Sequence, residues 1–164
     1  MRIGLFTVCY KPTINGVVYH LEELKTWLEK MGHQVFIFAP KTKDYQDKEK
    51  NIIRYPSLLD LKIRNYPLGI PFLIPKKKIE QLNLDIVHVH HPFWVGDFAA
   101  EIAQQLNKPL VFTHHTRYDL YSQYYLPPQL ETVAPKIVNR LLQRFLKKCA
   151  VVICPTQAIA SQIN

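Results

Sequence analysis

Four short runs of this chain are apolar at nearly every position: Ile3–Phe6, Val35–Phe38, Ile86–Val89 and Val151–Ile153. A strand with one face in water alternates apolar and polar residues, whereas a strand buried on both faces reads as a continuous apolar run. Between the runs, apolar residues recur at helical spacing. Val17, Leu21, Leu24, Leu28 and Met31 form one such stripe, and Val95, Phe98, Ala99, Ile102, Ala103 and Leu106 another. Strands of this kind alternating with helices predict a parallel sheet covered on both faces, the doubly wound Rossmann-like α/β class. Ligands of such sheets sit beyond the carboxyl ends of the strands. The residues following each strand are therefore the candidates: Cys9–Gly16, Pro40–Thr42, His90–Pro92, His114–Arg117 and Pro155–Thr156.

The element boundaries follow from capping and breaking residues. Strands are expected at Arg2–Val8, Gln34–Ala39, Asn51–Tyr55, Asp85–His90, Leu110–His114 and Val151–Cys154, and helices at Val17–Met31, Lys76–Leu82, Val95–Leu106 and Glu131–Lys148. Gly32 is placed to stop the first helix. Lys41–Lys50 reads as a charged loop, Ser57–Pro75 as an irregular, proline-rich apolar segment, and Thr116–Pro128 as a tyrosine-rich loop. Thr156 is an N-cap candidate for a helix at Ala158–Asn164 that runs out after about two turns. That break leads us to expect the first half of something larger.

The 164 residues suit one domain, 1–164, and 48% hydrophobic content is enough to build its core. A net charge of +8 favours acidic partners. The positive residues are spread over several elements with no recognition motif, which argues against nucleic acid. Cys9, Cys149 and Cys154 lack paired spacing, which fits a reducing compartment. The apolar N-terminus is too short for a transmembrane span.

Asn15-Gly16-Val17 stands where the first strand gives way to the first helix. A helix start offers unpaired N–H groups and the positive end of the helix dipole, and a glycine there lets an anion reach the backbone. The segment is thus either a phosphate seat or an ordinary strand–helix turn capped by Asn15. His88, His90 and His91 end one strand, and His114 and His115 end the next. Five histidines could bind a metal, but the Asp and His that complete metal-hydrolase patterns are missing. His88 reads as a hydrogen-bonded core residue. His115, in a loop at a strand end, is the functional candidate. Tyr118, Tyr121, Tyr124 and Tyr125 could stack on sugars or pack the loop. Lys62, Arg64, Lys76, Lys77 and Lys78 flank an apolar stretch, a pattern suited to an anionic membrane surface. On the long helix, Lys136, Arg140, Arg144 and Lys147 form a basic stripe. Ile137, Val138, Leu141, Leu142, Phe145 and Leu146 form an apolar one, expected to face the core.

In order and spacing these stretches resemble the N-terminal domain of a GT-B glycosyltransferase of family four. The resemblance rests on Ile3 to Val17 with its Asn-Gly-Val loop, Gly32-His33-Gln34-Val35, Asp85 to His90 running into Pro92-Phe93 and Gly96, Thr113 to Tyr118, and Val151 to Thr156. It is most similar to bacterial diacylglycerol glucosyltransferases and phosphatidylinositol mannosyltransferases. Val8 departs from the pattern, which often has Asp there.

The resemblance implies one half of a GT-B architecture, with a C-terminal donor-binding domain absent. It implies a retaining transferase moving sugar from a nucleotide-sugar, UDP-glucose in type, to a lipid or sugar acceptor such as diacylglycerol, without metal or other cofactor. Asn15, Gly16 and Val17 would meet the donor phosphate, and His115 would be the catalytic-site histidine. His20, His90, Pro92, Phe93, Thr116, Arg117 and Tyr118 would line the cleft or acceptor side. The implied location is the inner face of the cell membrane, on its cytoplasmic side, and the half alone would turn over negligibly. Two other classes remain open on the residues: a non-catalytic membrane-associated α/β module, and a metal-dependent hydrolase.

Overall fold

A computed structural model describes residues 1–63, 66–118, 134–161 and 163, with only the backbone described at 59–63 and 66. Arg64, Tyr121, Tyr124 and Tyr125 lie outside the described residues.

Six parallel strands form the sheet: β1 (Arg2–Phe6), β2 (Gln34–Pro40), β3 (Ile52–Tyr55), β6 (Ile86–Val89), β7 (Leu110–Thr113) and β8 (Val151–Ile153). Their spatial order is β3-β2-β1-β6-β7-β8, so the winding reverses between β1 and β6. Register pairs Ile3 with Val35 on one side and with Ile86 on the other. The doubly wound Rossmann-like α/β fold expected from the apolar runs is the fold observed.

Alternation along β1 sends side chains to two cores. Ile3 and Leu5 pack with Val35, Ile37, Val18 and Leu21 of α1 (Gly16–Lys30). Phe6 joins Phe38, Leu84, Val89 and Phe98 of α3 (Val95–Leu106) on the opposite face. The rings of Phe6 and Phe38 stack at 4.1 Å. Asn15 caps α1 by accepting the Val18 N–H at 2.9 Å. Gly32, at φ +82°, ends it as expected.

Several expectations need correction. The segment Ser57–Pro75 is not irregular throughout. It forms an antiparallel hairpin, β4 (Ser57–Ile63) with β5 (Tyr66–Gly69), then a single 3-10 turn at Pro71–Leu73. Helix α2 (Lys76–Glu80) is shorter than expected. Strand β8 is not buried on both faces: among the described residues it is the outermost strand of the sheet, and Val151 and Ile153 are exposed. In α4 (Ala134–Leu146) the apolar stripe is only partly core. Leu142 and Phe145 are buried, but Ile137 and Leu141 face outward beside Lys136, Arg140 and Arg144. Met31 is likewise exposed, since α1 ends at Lys30. A last short helix, α5 (Gln157–Ala160), is capped by Thr156, whose hydroxyl accepts the Ile159 N–H. Among the described residues, no helix is long and apolar enough to cross a membrane.

Candidate functional site

At the carboxyl ends of the strands, beside the reversal between β1 and β6, lies a cavity of about 760 Å³. Of the residues singled out from the sequence, Cys9, Asn15, Gly16, Val17, His91, His115, Thr116 and Tyr118 line it. Parallel strands start their following loops at the same end, which is why residues a hundred positions apart meet here.

The helix start is held open toward the cavity. Asn15 takes the N–H of Val18, leaving those of Gly16 and Val17 at the tip of α1. A Cβ built on Gly16 would meet nothing within 4 Å. The fold does not need a glycine there, so the space in front of it is free for a ligand.

The loop before α1 is pinned from below. Arg54 donates to both carboxylate oxygens of Asp47, at 2.8 and 2.6 Å, and to the carbonyls of Pro40 and Lys11, at 2.8 and 2.7 Å. Lys11 also pairs with Glu22 and with Glu49, which is reached by Lys25 at 3.6 Å. These ties fasten the charged segment 41–50 to the loop before α1. Tyr55, buried at the end of β3, donates to the Thr7 carbonyl at 2.7 Å and forms part of the cavity wall.

Behind the cavity stands a column of imidazoles. His88 bonds Thr113 at 2.8 Å, and its ring stacks on that of His90 at 4.4 Å. His90 Nδ1 lies 2.9 Å from His115 Nε2. His20, on the first turn of α1, sets its ring edge-on to His115 at 4.8 Å. Burial is the main reason all four titrate below the ordinary histidine range, reinforced among His88, His90 and His115 by neighbouring imidazoles. His88 and His115 are pushed down to about 4, so both are neutral at pH 7. His91, held down to about 3 chiefly by burial, accepts the Val8 N–H at 3.4 Å.

The remaining sequence candidates lie around this centre. His90 is fully buried and reaches the cavity only through His115. Pro92 is buried, and Phe93 packs edge-on against Tyr118 at 5.5 Å. Arg117 is half-buried and is not among the cavity-lining residues. The backbone of Lys62 lies in β4, while Lys76, Lys77 and Lys78 occupy the first turn of α2, with Lys76 paired to Glu101.

Sequence reasoning missed Trp94. It lines the cavity, donates its indole N–H to the Gly69 carbonyl at 2.7 Å, and stacks edge-on with Phe72 at 5.5 Å. Its φ of +61° is costly for a bulky residue, on the order of 1–3 kcal/mol. Gly96 alone gave a signal: a Cβ there would stand 2.6 Å from the His91 carbonyl oxygen, so the chain must turn tightly around Trp94. Trp94, Phe72 and Leu73 together leave an exposed apolar rim beside the lysines of α2.

Comparison with known proteins agrees with this architecture. Residues 14–164 match the model of Glycosyltransferase Family 4. The chain is 37% identical to alpha-monoglucosyldiacylglycerol synthase of Streptococcus pneumoniae over 168 residues, covering 100% of this chain and 37% of that protein. It is 32% identical to the synthase of the same name from Acholeplasma laidlawii, over 97% of this chain and 42% of that one. A GDP-mannose-dependent alpha-mannosyltransferase of Corynebacterium glutamicum is 28% identical over 89% of this chain and 37% of its own length. The chain thus spans about two fifths of the length of these curated relatives. Among solved structures, Acinetobacter baumannii MurG superposes with a TM-score of 0.54 at 15% identity, over 93% of this chain and 40% of that one, a likeness of fold. On the extent of the family match and the two synthases above 30% identity, this chain belongs to glycosyltransferase family 4.

Proposed function

We propose that the chain is the N-terminal, acceptor-side half of a retaining hexosyltransferase. It would move a sugar from a nucleotide-sugar, UDP-glucose in type, onto a membrane lipid such as diacylglycerol. The observation that carries the reading is the meeting of the open α1 start with His115 in one cavity. The N–H groups at Gly16 and Val17 stabilise negative charge on the departing diphosphate. His115, neutral at pH 7, holds a sugar or acceptor hydroxyl by hydrogen bonding without adding charge. Thr116 and Tyr118 shape the same wall, with His20, Pro92, Phe93 and Arg117 around it.

The lipid acceptor draws support from the apolar rim of Phe72, Leu73 and Trp94 next to Lys76, Lys77 and Lys78, and from the further basic residues Lys62 and Arg64 in the sequence. Apolar residues enter the headgroup layer while lysines meet anionic lipid. On this reading the protein sits peripherally on the inner leaflet. The two synthases are named for a glucosylated diacylglycerol, which agrees with that acceptor. The donor carboxylates and basic groups would come from a C-terminal half.

The test is to fuse residues 1–164 to the C-terminal portion of the Streptococcus pneumoniae synthase and follow radiolabelled glucose from UDP-glucose into diacylglycerol micelles. The fusion should transfer, the chain alone should not, and His115→Ala in the fusion should lower kcat. A folded, donor-binding fusion that transfers nothing to any lipid would overturn the reading. Transfer only to a soluble sugar would remove the lipid acceptor.

A further inference from the structure

We propose that His20, His90 and His115 form a binding site for one transition-metal ion of the zinc class. One ring nitrogen from each of the three lies within 4.8 Å of the other two. A tetrahedral zinc site has Zn–N distances of about 2.0–2.1 Å, which separates its nitrogens by roughly 3.3 Å. His90 Nδ1 and His115 Nε2 are already 2.9 Å apart, so closure around an ion needs only small ring rotations. His20 comes from α1, and His90 and His115 come from the residues that follow β6 and β7 at one end of the sheet.

A second observation points to a ligand independently. The Nε2 atom of His20 is shut off from solvent and has no hydrogen-bond partner among the described residues. His90 itself is fully buried. Buried polar atoms left without a partner are expensive and rare, and they call for an explanation such as an unseen ion. A donor set of nitrogen alone favours zinc, copper, nickel or cobalt over magnesium or calcium. Below the group, His88 bonds Thr113 and stacks on His90, which fixes the ring that the ion would share.

His115 is the member that also lines the cavity. An ion held here takes its lone pair away from the cleft. If the proposed transferase reading holds, the ion is therefore an inhibitor. The binding itself does not rest on that reading.

The experiment uses the tag-free chain, stripped with chelator and titrated with Zn²⁺ against a chromophoric competitor, with Co²⁺ absorption as a report of coordination. We expect one Zn²⁺ per chain, a tetrahedral Co²⁺ spectrum, and no competition from Mg²⁺ or Ca²⁺. His20→Ala and His115→Gln should each weaken binding by more than the roughly tenfold that loss of an outer partner costs. His33→Ala, Cys149→Ser and Cys154→Ser should leave it unchanged. Absence of stoichiometric binding overturns the site, as does binding that survives His20→Ala or is lost in a cysteine variant. His20 lies near the surface on the first turn of α1, so His20→Ala decides the matter even if His115→Gln does not fold. Because metal is read directly, zinc binding by the chain together with a metal-stripped fusion that transfers no sugar would sink the transferase reading and leave the site standing.

Discussion

The ring of Tyr55 fills the space a side chain on Gly69 would need: a Cβ there would stand 2.3 Å from Tyr55 Cε2. Tyr55 in turn holds the Thr7 carbonyl by its hydroxyl. Gly69→Ala should therefore push Tyr55 off that bond and cost about 1–3 kcal/mol by overpacking. Tyr55→Phe, which keeps the ring, should cost about 1 kcal/mol. Urea unfolding of both variants checks this, and a Gly69→Ala protein as stable as the parent would show that the wall gives way freely.

Gly16 behaves in the opposite way. With nothing near its missing Cβ, Gly16→Ala should leave stability within about 0.5 kcal/mol of the parent. In the fused transferase it should raise the donor KM, because the methyl group stands in the phosphate's approach. Unchanged donor affinity would assign the helix start a purely structural role.

Acid should unfold the chain early. His88, His91 and His115 have folded values near 4, 3 and 4, below the unfolded 6.5. The unfolded chain then binds more protons, so the stabilisation is complete above pH 6.5 and is lost as pH falls from there toward 4. For His88, only 6% exposed, the loss amounts to about 3 kcal/mol. Denaturant midpoints taken with chelator present should fall steeply between pH 7 and 5. A flat profile would mean that the imidazoles protonate without penalty.

Membrane attachment should need both halves of the rim. Lys76→Glu/Lys77→Glu/Lys78→Glu should abolish sedimentation with anionic vesicles, and salt should weaken the parent's binding. Phe72→Ser/Leu73→Ser should reduce binding to the same vesicles at all salt concentrations. Equal sedimentation of all three proteins would detach the rim from any lipid role.

The parts legible in the sequence were those set by periodicity and capping. Helix α3 matches its expected bounds because Val95 to Leu106 carry an unbroken stripe and Asn107 takes the left-handed cap. The hairpin β4–β5 was hidden because Pro67 sits inside its second strand and masks the pattern. Continuous apolar character did not separate β8 from the central strands, since an edge and a centre can share one composition. At the site, Gly16 and His115 were visible as residues following strands. Trp94 was not, because its part depends on an unusual backbone angle and on Gly69, a partner 25 residues away. His20 was placed in the cleft by family likeness alone, and only the packing of α1 against the sheet end revealed its partners.

Strand β8 has one further consequence. Among the described residues, no strand pairs with its outer side, and its three residues are Val, Val and Ile. Open backbone donors and acceptors on a β-branched, uncharged strand can recruit another copy of the same strand. Lys147 and Lys148 before it and Pro155 after it act as gatekeepers, but none interrupts it. Any self-association of residues 1–164 on their own is therefore expected at this margin of the sheet, and Val151→Lys should suppress it without reaching the cleft.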